Sequence, residues 1–312
     1  MIGRVTKSTG SWYTVRNNDG EYHECRIKGK FRIQGIKSTN PVAVGDWVNF
    51  DLEDNKQTGV INEIKERTNY IIRKSVNLSK QTHIIASNID LAFLMVTCAK
   101  PHTSTGFIDR FLVTAEAYNI PVVILFNKID IYGEDELAEM EWLNDIYTNI
   151  NYKCIKISAK ERTNIDAIKD LMKGKVSMFS GHSGVGKSTL VNSIEGKLDL
   201  KTSEVSHSHN KGQHTTTYAE MFELSFDGFI IDTPGIKGFG LVDMEKEEVG
   251  DYFPEIFETK GDCKFNNCLH VNEPKCAVVA AVENDEIAAS RYLSYLSFLE
   301  QEEENFRTDD YQ

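Results

Sequence analysis

Positive charge is in short supply: 35 Lys and Arg stand against 47 Asp and Glu, a formal net charge of −12. That balance excludes a uniformly cationic coat for nucleic acid. The deficit is uneven, because residues 1–74 carry 13 basic against 9 acidic side chains while residues 241–312 carry 6 against 18. A local polyanion-binding surface at the basic N-terminal end therefore stays open. Long apolar runs are missing as well. None approaches the ~20 residues needed to cross a bilayer, and the opening Met1-Ile2-Gly3-Arg4-Val5-Thr6-Lys7 has no apolar signal region. The expectation is a cytoplasmic chain with no membrane partner and, lacking a motif for self-association, a monomer. Cysteine is scarce, six in 312 residues, too sparse for a disulfide framework. Three of the six gather late in the chain beside a histidine, which favours a metal.

What is present begins at residues 176–190. Gly181, Gly186, Lys187 and Ser188 fill every required position of the phosphate-loop pattern G-x-x-x-x-G-K-[ST]. Residues 176–180 read as a short buried strand and residues 187–194 as the start of an amphipathic helix, the context the motif needs. Glycines let the backbone wrap closely enough for its N–H groups, from Gly181 through His182, Ser183, Gly184 and Val185 to Gly186, to cradle phosphate oxygens at a helix N-terminus. Lys187 is then expected on the terminal phosphates, the Ser188 hydroxyl on Mg²⁺ and Thr189 beside them. The alternative is a glycine-rich turn without a ligand.

At 312 residues the chain has room for two or three domains. In residues 1–73, β-like runs at 2–6, 11–15, 22–27, 46–52 and 59–64 are separated by turn signals such as Asn17-Asn18-Asp19-Gly20. Five short strands without a helix predict a small barrel of the oligonucleotide-binding (OB-fold) type. Arg26, Lys28, Lys30 and Arg32 alternate on extended chain, with Phe31, Trp12 and Tyr13 nearby, which suits backbone tracking and base stacking; a solvated strand face is the plainer alternative. Trp47 is expected in the core.

Residues 74–240 alternate strand and helix: runs at 91–97, 122–126 and 152–157 with helical spacing at 108–118, 134–148 and 165–172. That pattern predicts a doubly wound parallel sheet, whose ligands bind at the C-terminal ends of the strands. Directly after residues 122–126 stands Asn127-Lys128-Ile129-Asp130, similar to the guanine-specificity motif N-K-x-D. Guanine offers N1–H and a 2-amino group, and one carboxylate accepts both in a fork; adenine offers no such pair, so Asp130 is expected to select GTP. The alternative for Asp130 is a helix cap. Ser158-Ala159-Lys160 follows the run at 152–157 and looks like the weaker S-A-K loop. Asp232-Thr233-Pro234-Gly235 matches D-x-x-G, with Asp232 expected on Mg²⁺ through water and the Gly235 amide on the γ-phosphate. Between phosphate loop and D-x-x-G lies Gly212-Gln213-His214-Thr215-Thr216-Thr217, a switch in which one threonine completes the Mg²⁺ shell; Thr216 is preferred to Thr215.

The order of these motifs is unusual. GTPases of the ordinary kind run phosphate loop, switch threonine, D-x-x-G, N-K-x-D, S-A-K, whereas here the last two come first. The domain is therefore read as circularly permuted. Ile236 follows the D-x-x-G glycine where Ras-like GTPases carry a water-orienting glutamine, and an aliphatic chain cannot position water. His214 is the expected replacement, the alternative being a switch residue without chemistry. In residues 241–312, Cys263, Cys268, His270 and Cys276 supply three thiols and an imidazole within 14 residues, a donor set for one structural Zn²⁺. Cys25, Cys98 and Cys154 read as small buried apolar residues, and helices are expected at 278–282 and 287–299.

Basic barrel, permuted GTPase motifs and Cys3His cluster in this order resemble the RsgA (YjeQ/YloQ) family. The resemblance implies a cytoplasmic GTPase that binds the small ribosomal subunit and its rRNA, acts late in its maturation, couples hydrolysis to release, and uses His214 and Thr216 in catalysis. The family motif usually has arginine at the position of Gln213. Two other classes are weighed against this one: a passive RNA-binding zinc protein with a nucleotide-dependent switch, and an ATP-dependent phosphate-loop enzyme.

Overall fold

The computed structural model describes residues 1–27, 41–53, 58–74, 82–196, 219–232 and 244–309. Near the N-terminus five strands close a barrel: β1 (Ile2–Ser8), β2 (Tyr13–Asn17), β3 (Tyr22–Ile27), β4 (Trp47–Leu52) and β5 (Thr58–Ile64), in the circular order β1-β2-β3-β5-β4-β1. Only β3 and β5 run parallel; the pairing of Ile2 with Asn49 and Arg4 with Trp47 closes the ring. Alternation explains why these residues form strands: Val5, Val15, Val48, Phe50 and Ile61 point inward and are fully buried. Tyr13 departs from the stacking surface expected of it. It is buried in the barrel core, because inward and outward positions alternate and its neighbour Trp12 takes the exposed side. Trp47 is half-buried beneath the Arg4 guanidinium, 5.1 Å from the ring centre. Arg26 is exposed and ion-paired with Glu53; Lys28, Lys30, Phe31 and Arg32 lie outside the described residues.

A hairpin that sequence periodicity did not announce, β6 (Tyr70–Lys74) with β7 (Thr82–Ser87), stands between the barrel and the second sheet. It is tied to the barrel by Asp46, which is fully buried. Its carboxylate accepts from Arg67 Nε and Nη2, each at 2.6 Å, from Ser87 Oγ at 2.6 Å and from the Ala43 amide at 2.8 Å, so its lone pairs are spoken for. At Gly45 (φ +96°) a Cβ would lie 2.0 Å from the Ser87 carbonyl, so no larger residue fits this crossing.

The second sheet runs β10-β9-β8-β11-β13-β12, from β8 (Leu91–Val96), β9 (Val122–Phe126), β10 (Lys153–Lys156), β11 (Val176–Ser180), β12 (Glu220–Glu223) and β13 (Phe229–Asp232). All neighbours are parallel except β12, which is antiparallel to β13. Helices α1 (Thr105–Ala117) and α2 (Glu134–Asn149) cover one face, α3 (Ile165–Met172) and α4 (Lys187–Ile194) the other. Being covered twice, β8 and β9 are apolar at every position: Ala92, Leu94 and Val96 meet Ile108, Phe111 and Leu112, while Leu91, Phe93 and Met95 belong with Ile168, Leu190 and Ile194. The sheet is continuous with the barrel through β12 and β1, at Lys7 and Glu220. Arg16 reinforces the seam with two bonds to Glu223, at 2.9 and 2.7 Å.

Downstream, α5 (Lys246–Val249), α6 (Pro254–Thr259), α7 (Ala277–Glu283) and α8 (Ala289–Asp309) build the helical C-terminal part. Its core includes Val113 of α1. Arg291 of α8, fully buried, donates to Asp109 of α1 at 2.7 Å and to Glu255 of α6 at 2.7 and 3.2 Å. Asp109 also accepts from Tyr147 at 2.8 Å and Ser294 at 2.5 Å, and the ring of Phe253 lies under the guanidinium at 4.7 Å. The two carboxylates hold Arg291 protonated against the penalty of burial. Removing a buried ion costs more than replacing the whole cluster, because its partners are left uncompensated. Arg291→Ala should therefore destabilise the chain by about 3–5 kcal/mol in urea unfolding, while Arg291→Met, Asp109→Leu and Glu255→Leu combined with Tyr147→Phe and Ser294→Ala, which leaves no hydroxyl of the cluster unpaired, should lose much less.

Candidate nucleotide site and metal centre

Four loops converge at the C-terminal edge of the sheet. The phosphate loop leaves β11 and enters α4, with Gly181, Gly184 and Gly186 all at positive φ. Gly181 has to be glycine, since a Cβ there would stand 2.7 Å from the Met95 carbonyl. Lys187 curls back over the loop, its Nζ donating to the carbonyls of Gly181 at 2.6 Å and His182 at 2.8 Å. Burial holds its ammonium below the ordinary lysine value, an electrostatic cost that a phosphate anion offsets. Ser183 and Gly184 are exposed on the loop surface, Val185 is anchored in the core, and Ser188 and the exposed Thr189 are the second and third residues of α4. The His182 ring of the loop lies against Phe107 of α1, with centroids 3.7 Å apart and planes tilted by 30°.

Asn127, immediately after β9 and fully buried, joins two of these loops. Its Nδ2 donates to Val185 O of the phosphate loop at 2.7 Å, and its Oδ1 accepts from the Ala159 amide at 3.0 Å. A Cβ on Gly186 would press to 2.5 Å from that same Nδ2. Lys128, in the left-handed region at φ +70°, donates to Gly184 O at 2.7 Å and Lys100 O at 2.5 Å. Burial lowers its ammonium while Asp130 opposes the shift. The Ile129 amide donates to the Ile157 carbonyl at 3.3 Å. Asp130 is exposed and accepts from Ser158 Oγ at 2.6 Å, whose oxygen in turn accepts from the Glu161 amide. It caps no helix, because α2 is preceded by Gly133. Lys160 is exposed beside Glu161. Asp232 ends β13, one residue past the Met178–Ile231 pair that places it next to β11. His214, Thr215, Thr216, Gln213, Gly235 and Ile236 lie outside the described residues.

The fourth loop, after β8, went unread in the sequence. Lys100 supplies the carbonyl for Lys128, and Tyr132, just beyond N-K-x-D, donates its hydroxyl to Asn127 O at 2.5 Å and accepts from Cys98 N at 2.9 Å. Lys100-Pro101 after an apolar strand marks a loop, but nothing in the residue types says which carbonyl it presents. Cys25 and Cys98 are buried as expected, and Cys154 is half-buried. Burial pushes their thiols up to about 12, about 11 and about 12, which keeps them protonated and unreactive.

Cys263, Cys268, His270 and Cys276 come together, their donor atoms all within 4.8 Å of one another. Cys263 Sγ lies 3.5 Å from His270 Nδ1 and 3.9 Å from Cys276 Sγ, and His270 Nδ1 lies 3.4 Å from Cys276 Sγ. With bonds of ~2.3 Å to sulfur and ~2.0 Å to nitrogen, a tetrahedral ion implies edges of roughly 3.5–3.8 Å. The donor set and its spacing fit a metal ion. The surroundings hold the ligands in place: Tyr292 donates to His270 O at 2.6 Å, Tyr295 to Leu269 O at 2.7 Å, and the Glu273 carboxylate accepts the amides of Leu269, Val271 and Asn272. Cys276 caps α7 and accepts from Val279 N.

With this geometry in view, comparison with known proteins decides the family. The family model described as RsgA GTPase matches residues 64–242, and that described as RsgA N-terminal domain matches residues 2–61. The chain belongs to the RsgA GTPase family. As a GTPase it is a hydrolase, which is the favoured reading of the sequence. A relative from Christiangramia forsetii, named small ribosomal subunit biogenesis GTPase RsgA, is 67% identical over 314 residues, with both chains covered in full. One of the same name from Flavobacterium johnsoniae is 63% identical, covering 100% of this chain and 96% of its own. Among solved structures, YjeQ from Thermotoga maritima superposes with a TM-score of 0.79 at 36% identity, covering 96% of this chain and 97% of its own. YloQ, described as a circularly permuted GTPase, gives 0.77 at 32%, covering 97% and 95%.

Thiols must lose their protons before they ligate a metal, and burial beside the other sulfurs pushes the Cys268 thiol up to about 12 in the metal-free state. Lower pH therefore opposes binding. Metal retention, followed with a chromophoric chelator, should weaken steadily as pH falls from about 8 to about 6. Cys276→Ala should lower both metal content and thermal midpoint.

Proposed function

We propose that this chain is a GTP hydrolase of small-ribosomal-subunit maturation, binding the subunit and its rRNA and coupling hydrolysis to its own release, as a monomer in the cytoplasm. The observation that carries the nucleotide assignment is the pair of bonds from Asn127 to the phosphate loop and to the S-A-K loop, which brings motifs in permuted order to one edge of the sheet. The ribosomal assignment is supported by relatives at 67% and 63% identity whose names specify small-subunit biogenesis. The barrel, its basic residues and the Cys3His unit are the rRNA-facing parts in this reading, and the units are taken as 1–73, 74–240 and 241–312.

In the proposed site, residues Gly181 to Thr189 wrap the phosphates, with backbone N–H groups and Lys187 facing their oxygens. Asp130 accepts the two guanine donors, with Asn127, Lys128 and Ile129 shaping its turn and Ser158, Ala159 and Lys160 flanking the base. Ser188 and Thr216 are assigned to Mg²⁺ directly, Asp232 through water, and Gly235 to the γ-phosphate. Bound Mg²⁺ neutralises charge that develops on the phosphate oxygens. His214 orients the attacking water, the task that Ile236 cannot perform. Cys263, Cys268, His270 and Cys276 are assigned to one Zn²⁺ that holds the C-terminal fold and leaves no open coordination position for chemistry. Cysteines used as ligands suit the reducing cytoplasm.

The experiment is steady-state GTP turnover by the full chain with and without purified small subunits. The expected result is slow intrinsic turnover, strong acceleration by the subunit, loss of that acceleration in His214→Ala by roughly 100-fold or more, and no competition from ATP. Acceleration that survives His214→Ala would remove the histidine from the mechanism and keep the partner; no response to the subunit would remove the partner.

A further inference from the structure

The turn that carries Asp130 is fixed at one end by the sheet and at the other by a tyrosine that belongs to no recognised motif. Asn127 N still bonds Val96 O at 2.9 Å, so β8 and β9 stay paired up to Asn127. Beyond that point the chain reverses: Lys128 is left-handed, residues Ile129–Ile131 form a single 3₁₀ turn, and the Ile131 amide returns to Lys128 O at 3.0 Å. The next residue, Tyr132, folds its side chain back under this turn. Its hydroxyl spends both capacities on backbone, donating to Asn127 O at 2.5 Å and accepting from Cys98 N at 2.9 Å. Cys98 stands two residues past β8, in the same loop whose Lys100 carbonyl receives Lys128. One phenol thus ties the start of the Asp130 turn, its end and the neighbouring loop into a closed ring of contacts.

We propose that Tyr132 is a specificity-positioning residue for the guanine base, its hydroxyl setting the pitch of the 127–132 turn so that the Asp130 carboxylate meets both base donors at once. A fork of two hydrogen bonds tolerates misplacement of only ~0.5 Å, and among the described residues the Asp130 carboxylate itself is held by the Ser158 hydroxyl and the nearby charge of Lys128. Among the described residues Tyr132 makes no hydrogen bond to the phosphate loop, and its tie to that loop runs through Asn127 and Lys128, so the effect falls first on the turn that carries Asp130. Burial drives the phenol above its ordinary range, which keeps it a proton donor throughout physiological pH. The inference rests on the assignment of residues 127–130 to guanine, and its test separates the two.

The probes are GDP and IDP with Mg²⁺, bound to the full chain. Hypoxanthine lacks the 2-amino group, so IDP can make only one of the two bonds to Asp130, and the ratio of the two affinities reads the alignment of that carboxylate. Tyr132→Phe keeps the ring and removes the hydroxyl. The expected result is a loss of roughly tenfold in GDP affinity with a much smaller loss for IDP, so that the ratio contracts, together with faster amide exchange at Cys98. Equal losses for both nucleotides, or an unchanged ratio, would make Tyr132 an ordinary packing residue and overturn the proposal. So would a variant that no longer gives a cooperative thermal transition. Asp130→Asn serves as the reference. If it leaves the preference for GDP over IDP intact, the assignment of the base motif itself fails; if it removes the preference while Tyr132→Phe does not, only the tyrosine is wrong.

Discussion

One buried amide holds the nucleotide end of this molecule together. Asn127 presents a donor and an acceptor at a fixed separation, and the donor goes to the phosphate loop while the acceptor takes the amide of Ala159. Neither carbonyl nor amide could be left unpaired at that depth without a cost of about 1–3 kcal/mol. Loops that follow three different strands are therefore locked in one relative position, and Asp130 inherits its place from that lock. Lys128, bonded to Gly184 and Lys100, adds a second brace from the adjoining residue.

Such a lock depends on which strands are neighbours and is indifferent to the order in which the chain visits them. β8, β9 and β11 lie side by side, and their C-terminal ends face one crevice whether the phosphate loop is met first or last along the chain. Circular permutation leaves every ladder bond and every loop bond of the site intact. It does change what the ends of the domain are attached to. The barrel is bonded to β12 through Lys7 and Arg16, and β12 is the partner of β13, which carries Asp232. On the opposite side α1 reaches from the phosphate loop, where Phe107 lies against His182, to Asp109, where the C-terminal helices are fastened by Arg291. Both flanking units are thus joined to elements that border the proposed nucleotide site.

Polar groups fasten the hairpin and the C-terminal helices while buried, whereas the Lys7 and Arg16 seam to β12 lies at the surface. Asp46, Arg67 and Ser87 secure the barrel to its hairpin, and Asp109, Arg291 and Glu255 secure the C-terminal helices to α1 and α6. Apolar packing alone would accept many relative orientations of three units. Charged groups that must find particular partners accept few, which is the advantage they bring despite their desolvation penalty.

Much of this was legible in the residues themselves. β3, β9, β11, α3 and α4 begin and end where periodicity placed them, because each is bounded by a glycine, a proline or a polar turn and each repeats the pattern of the surface it covers. The glycines of the phosphate loop and the gathering of Cys263, Cys268, His270 and Cys276 were likewise readable, since such motifs need particular residue types at short spacing. The hairpin β6–β7, strand β12, the burial of Tyr13 and the roles of Asp46, Tyr132 and Arg291 were not. A short strand with mixed polarity carries little periodic signal, and the partners of Tyr132 and Arg291 are residues far away in sequence or anonymous backbone groups. Sequence determined which local elements form and which chemical groups they carry, because those depend on neighbouring residues. Tertiary structure alone decided which polar side chains are buried and what each one holds, because a hydrogen-bond partner up to 213 residues distant exists only once the chain has closed on itself.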